Sequence, residues 1–316
     1  MHPNGRTVAG RGLRDCGVGW AERRAERRAR RVMRAMDRHI ARSARRRPRA
    51  GARVAVTALL AAGAVTAGAF AASSLGLDLT DPSSWGKGRA YVAIDGRAVA
   101  VPRPAPAQGR VLPAVPVTSS GRYAFVNSDD GVPIGYDPCR PIRYVVRPDG
   151  APAVGTEVVE DAIAQISAAT GLSFVDAGST VEAPALHRTL IQPELYGDGW
   201  APVLVAWSTA VEVPELAGDV AGVGGSAVVP GATGGGHWLA AGRLVLDSTD
   251  LGAILALPDG YVQVRAIIMH ELAHVVGLDH VDDPTELMNP STTGILALGP
   301  GDRQGLALVG AVACEP

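Results

Sequence analysis

The order of elements legible in this chain is strand, helix, strand, further strands and a late helix. It predicts an α+β fold with helix and sheet packed as layers, an order that an α/β chain would share. Three observations predict it. The stretch 156–170 (TEVVEDAIAQISAAT) puts Val158, Val159, Ala162, Ile163 and Ile166 on one helical face, and Gly171 stops it. Short apolar runs at 142–146, 172–175, 203–207 and 244–247 read as strands, the last preceded by a Gly-rich tract at 221–236. A second long helical pattern, YVQVRAIIMHELAHVV, begins near Asp259 or Gly260 and runs to Gly277. The folded domain is expected over 121–316, long enough for one hydrophobic core.

What precedes that domain differs in composition. Residues 1–53 hold 17 Arg against Asp15, Glu22, Glu26 and Asp37, a balance of +13, while the whole chain sums to −1. A basic head is therefore joined to an acidic body. Residues 54–77 carry no charge; as a helix at about 1.5 Å per residue they span roughly 36 Å, enough for a hydrocarbon core of about 30 Å. With the Arg-rich flank held in the cytoplasm, this signal anchor would place everything after Asp78 outside the cell membrane. The alternative is a signal peptide cut after Ala69-Phe70-Ala71, which would release the domain as a secreted one and leaves it in the same compartment.

The Arg-rich head reads as a charge run that sets topology, and no nucleic-acid-binding motif accompanies it, so a nucleic-acid partner is not expected. The stretch 78–120 is broken by Pro82, Pro102, Pro104, Pro106, Pro113 and Pro116 and reads as a semi-extended stalk. Within it, 89–101 alternates like a hairpin about Asp95-Gly96. Cys16 falls in the cytoplasmic head, whereas Cys139 and Cys314 form an even pair in an oxidising compartment, so a Cys139–Cys314 disulfide is expected.

The chemistry concentrates on the second helix. His270 and His274 are four residues apart and project from one helical face, able to share an ion. Gly277 lets the backbone turn, so that His280 can return as a third ligand. Three imidazoles leave one position of a tetrahedral Zn²⁺ open, the arrangement of a catalytic site. Glu271, about 100° around the helix from His270, suits a general base. HExxH by itself recurs on solvated helices; the eleven-residue HExxHxxGxxH is far more specific.

HELAHVVGLDH resembles the long zinc consensus of the metzincin metallopeptidases, and most of all their matrixin branch, to which the matrix metalloproteinases belong. The run Glu286-Leu287-Met288-Asn289-Pro290 looks like the matrixin Met-turn, eight residues beyond His280, and LGPGDRQGLALVGA looks like that family's last helix, entered through Leu298 and Asp302. The resemblance covers roughly 138–316 and implies a zincin domain with a mixed twisted sheet, an active-site helix and a C-terminal helix. It implies His270, His274 and His280 as zinc ligands, Glu271 as base and Met288 as the apolar floor of the site. It also implies protein or peptide substrates bound extended along an edge strand near 220–229.

The sequence departs from the family in several places. The segment before the zinc helix offers only His237, and with His187 this reads as a surface residue, so one catalytic Zn²⁺ and no second zinc is expected. Asp247 and Asp250 offer carboxylates of the kind Ca²⁺ takes, although two Asp in a turn are commonly turn formers. Asn289 stands where a Tyr is usual. The segment around Cys16 resembles the family's latency cysteine only superficially, being on the other side of the predicted membrane span. The expectation is a monomeric, membrane-anchored zinc endopeptidase. The competing classes are a catalytically idle zinc-binding adhesion domain, against which Glu271 argues, and a transmembrane regulator acting through its basic head.

Overall fold

The computed structural model describes residues 88–94, 96–218, 220–290 and 294–316. The basic head, the predicted span at 54–77, Cys16 and the first part of the Pro-rich stretch lie outside the described residues. No helix among those described is long and apolar enough to cross a membrane.

The described residues open with a hairpin, β1 (Tyr91–Ile94) and β2 (Arg97–Ala100), paired antiparallel with Ile94 opposite Arg97, where the alternation predicts one. Three two-residue strands follow, β3 (Ala124–Phe125), β4 (Ser128–Asp129) and β5 (Val132–Pro133). The body then runs β6 (Ile142–Arg147), α1 (Gly155–Thr170), β7 (Phe174–Ser179), the single turn α2 (Pro193–Tyr196) and β8 (Val203–Ser208). It continues through β9 (Gly222–Pro230), β10 (His237–Asp247), α3 (Ser248–Leu255), α4 (Gly260–Val276), β11 (Leu278–Asp279) and α5 (Pro300–Gly310). The α+β class is as expected: five α-helices among the described residues stand with a five-stranded mixed sheet ordered β7-β6-β8-β10-β9.

Four neighbouring strands are parallel, and only β9 runs antiparallel, along β10, at one open edge. β8 is buried at every residue, as a central parallel strand between two covered faces must be. α1 buries the predicted stripe of Val158, Val159, Ala162, Ile163 and Ile166 and ends at Gly171 in the left-handed conformation, φ 67°. These side chains share one core with Trp207, Leu244, Leu246 and the apolar face of α4.

Two strands differ from expectation for local reasons. β7 starts at Phe174, because Leu172 is spent on the helix end, its N–H donating to Thr170 Oγ1 (3.1 Å) and its carbonyl accepting from Ser167 Oγ (2.7 Å). β10 is longer than the predicted 244–247. Its first half is offset from its second by an irregularity between Ala240 and Arg243, where Ala241 takes φ 48°, so the strand's alternation breaks there.

The described part of the Pro-rich stretch beyond β2 forms neither helix nor strand, and it is bound along the domain. Arg110 donates through Nη1 to Gly310 O (2.8 Å) and Nη2 to Gly171 O (3.4 Å), serving carbonyls at the ends of α5 and α1 together. Val111 N donates to Pro138 O (3.0 Å) and Gly121 N to Gln304 Oε1 (3.0 Å). Cys139 and Cys314 are disulfide-bonded with Cα atoms 5.5 Å apart, tying the start of the sheet to the chain's end.

Candidate metal centre

α4 is buried on nearly every side from Val264 onward, and its polar residues therefore need partners within the protein. His270 Nδ1 donates to Leu287 O (2.8 Å) and His274 Nδ1 to Leu278 O (2.8 Å). A carbonyl can only accept, so each Nδ1 carries the proton and each Nε2 presents a lone pair. Gly277 ends the helix at φ 116°, where a Cβ would press on Ile134 O at 3.0 Å, and the chain turns through β11, which pairs with β3. That turn brings His280 back to the helix face.

The three Nε2 atoms converge: 2.9 Å for His270–His280, and 3.2 Å from His274 to each of the others. A tetrahedral ion with Zn–N bonds near 2.05 Å separates its ligands by about 3.3 Å. The spacing fits, and so does the chemistry, since lone pairs on His270 and His274 facing each other are repulsive without a cation between them. Burial, and next the neighbouring imidazole, pushes each of the three His down to about 3, which keeps them neutral and ligand-ready at physiological pH.

Glu271 is fully buried. Its Oε2 accepts from Gly224 N of the edge strand (2.6 Å), while Oε1 has no hydrogen-bond partner among the described residues. Burial pushes its carboxyl up to about 7, against the opposing pull of the Gly224 N–H. α4 and β9 meet closely here: a Cβ on Gly224 would run into the Glu271 backbone, which cannot move aside. Gly224→Ala should therefore push β9 off the helix and lower stability by the cost of overpacking, about 1–3 kcal/mol, seen as a fall in the thermal midpoint; an unchanged midpoint would contradict this contact.

The turn carrying Met288 is held by two buried acids on its two sides. Asp302 Oδ2 accepts from Leu287 N (2.6 Å) and Gly299 N (2.8 Å), and Oδ1 from Met288 N (3.2 Å). Glu286 reciprocates, accepting from Gly301 N (2.8 Å) and Asp302 N (2.9 Å) at the start of α5. Met288 is buried in the core, and its carbonyl accepts from Val281 N (3.0 Å), next to His280. The connection runs from α5 through Asp302 to Leu287 and on to His270 Nδ1. Sequence reading named Asp302 as a helix entry and Glu286 as part of the turn, but the bonds between them depend on tertiary packing that no local pattern encodes.

The remaining predicted residues fall elsewhere. His237 Nδ1 lies 2.6 Å from Asp129 Oδ2 at the half-exposed start of β10, and His187 is exposed. Asp247 is the N-cap of α3, accepting from Thr249 N and Asp250 N at 2.8 Å each, so this carboxylate serves as a helix cap.

These shifts set an acid limit on the metal-free chain. From about pH 4.5 to 6, the unfolded state holds three imidazole protons that the folded state lacks. The folded state keeps two carboxyl protons, on Glu271 and on Asp302, which burial raises to about 6. The unfolded chain binds one more proton on balance, so stability rises with pH by about 1.4 kcal/mol per unit. From about pH 6.5 both differences close, because the unfolded imidazoles lose their protons and the folded Glu271 and Asp302 carboxyls lose theirs, so the slope falls toward zero. The thermal midpoint of the metal-free full chain should climb between pH 4.5 and 6 and level off near 6.5; a midpoint that falls over that interval contradicts the burial of the three imidazoles.

Compared with known proteins, the chain matches no family model, and no curated protein matches it.

Proposed function

We propose that the chain is an extracytoplasmic zinc endopeptidase of metzincin type, nearest the matrixin branch, with His270, His274 and His280 holding one Zn²⁺ and Glu271 as general base. One observation carries the reading: three Nε2 atoms converge within 3.2 Å beside a buried carboxylate with an unpartnered oxygen. Zinc bound there supplies a Lewis acid that polarises a carbonyl and makes water easier to deprotonate.

The chain's own residues supply the rest. Glu271 Oε1 is the atom that takes a proton from the attacking water and passes it to the leaving amine, while Oε2 stays anchored on Gly224 N. β9 supplies the docking edge. Asp247 N donates to Ala221 O (2.8 Å), so by the alternation of an antiparallel ladder Gly222 and Gly224 turn their main-chain groups away from β10; Glu271 takes the Gly224 N–H, which leaves the Gly222 N–H and the carbonyls of both glycines for an added strand. An extended peptide can add there as a further strand, which brings its backbone past Glu271. The Met288 turn steadies His270 through Leu287 O. The anchor at 54–77 belongs to the same proposal and rests on the sequence.

The purified full-length chain should digest an unfolded protein substrate, lose that activity in a zinc chelator and regain it when Zn²⁺ is restored. Hydrolysis undiminished by complete metal removal would sink the mechanism. Stoichiometric zinc binding without hydrolysis of any protein or peptide would favour an idle binding domain instead.

A further inference from the structure

β9 carries glycine at 222, 224 and 225. The helix beneath accounts for two of them, since a Cβ on Gly222 would crowd Leu246 and the Glu271 side chain at 3.2 Å, and one on Gly224 would strike the Glu271 backbone. Gly225 faces the other side of the sheet. There, within 4 Å, a Cβ would meet only the guanidinium of Arg243, at 3.8 and 4.0 Å.

Arg243 is the cross-strand partner of Gly225, so its side chain passes over the glycine toward the open edge. Its Nε is buried without a hydrogen-bond partner, and among the described residues no carboxylate pairs with it. Burial, and then the cation of Arg188, holds its pKa below the ordinary value. Arg188 itself is fully engaged. It bonds Glu182 through two nitrogens at 2.6 Å each and donates to Pro202 O (2.6 Å) and Gly242 O (2.8 Å). Of these two neighbouring cations, one is neutralised and the other is left over beside the edge strand.

We infer that Arg243 is an anion subsite of the peptide cleft, taking the Asp or Glu side chain of the substrate residue that lies beside Gly225 on the face away from α4. The inference rests on the proposed addition of substrate as a strand on β9. An added strand lies about 4.8 Å from the edge, and side chains at one register point to one face. With no Cβ at position 225, nothing stands between a carboxylate there and the guanidinium fork, a geometry that arginine binds through two nitrogens. The subsite selects acidic side chains at one position and leaves the reacting centre, on the opposite face of β9, untouched.

The test is a series of quenched fluorescent peptides with Glu or Gln at each successive position, hydrolysed by the full-length chain. At one position Glu should raise kcat/KM about tenfold or more over Gln at low salt, and the preference should shrink as salt is added. Arg243→Gln should abolish the preference, with a thermal midpoint near that of the wild type reporting an intact fold; Arg243→Glu should favour Lys at that position. No preference at any position in the wild type, or a preference that persists in Arg243→Gln, overturns the subsite. If the chain hydrolyses none of the peptides, the peptidase reading fails, and fluorescence anisotropy with the same series decides the subsite separately. Tighter binding of the Glu peptide that is lost in Arg243→Gln upholds it, and equal or absent binding overturns it.

Discussion

Glu271→Gln should lower peptide hydrolysis by about 10²- to 10⁴-fold while leaving bound zinc and folding nearly unchanged. The carboxylate lies beside the imidazole cluster and is not part of it, so its replacement removes the base and spares the ligands. Glutamine is the informative replacement. Its amide oxygen can still accept from Gly224 N, whereas Glu271→Ala would leave that buried N–H unpaired, a cost of about 1–3 kcal/mol, and open a cavity under β9. Activity within a few-fold of wild type in Glu271→Gln, measured as kcat/KM on one peptide with metal content checked alongside, would remove Glu271 from the reaction.

The second large effect should come from a residue that makes no contact with the imidazoles. Asp302→Ala strips the acceptor from three N–H groups, those of Leu287, Met288 and Gly299. At about 1–3 kcal/mol for each buried donor left unpaired, the loss approaches the total stability of a domain, about 5–15 kcal/mol. Asp302→Asn keeps the shape and one acceptor oxygen and should therefore fold with reduced stability. In that variant Leu287 O is less firmly placed for His270 Nδ1, and zinc affinity should fall about 10- to 100-fold, the usual effect of losing support behind a ligand. Zinc affinity equal to wild type in a folded Asp302→Asn chain would break the link between α5 and His270.

The central helix was the most legible element because its signals are local. The i, i+4 spacing of His270 and His274 and the stop at Gly277 depend on helix geometry and on one left-handed residue, and both hold in the structure. The stripe of α1 and the buried run of β8 follow from the same kind of pattern. What escaped depends on distant partners. That Gly224 would offer its N–H to Glu271 requires β9 to cross α4, and 47 residues separate the two. Arg110 reads as one basic residue in a Pro-rich run, yet it bonds carbonyls 61 and 200 residues away. Arg243 lies just outside the strand expected at 244–247, and its isolation shows only when Arg188 and Glu182 are seen to pair with each other. Glu286 and Asp302 likewise gave no hint that two acids would be buried together, since their partners are backbone N–H groups that no composition records.

The account stands on three imidazoles sharing one ion, and metal analysis of the purified full-length chain tests it most directly. Zinc measured per chain by mass spectrometry, for the wild type and for His274→Ala, should give one equivalent in the first and a small fraction of that in the second. No zinc in the wild type after purification with Zn²⁺ present, or an equal content in His274→Ala, would contradict the assignment of His270, His274 and His280 as the metal centre.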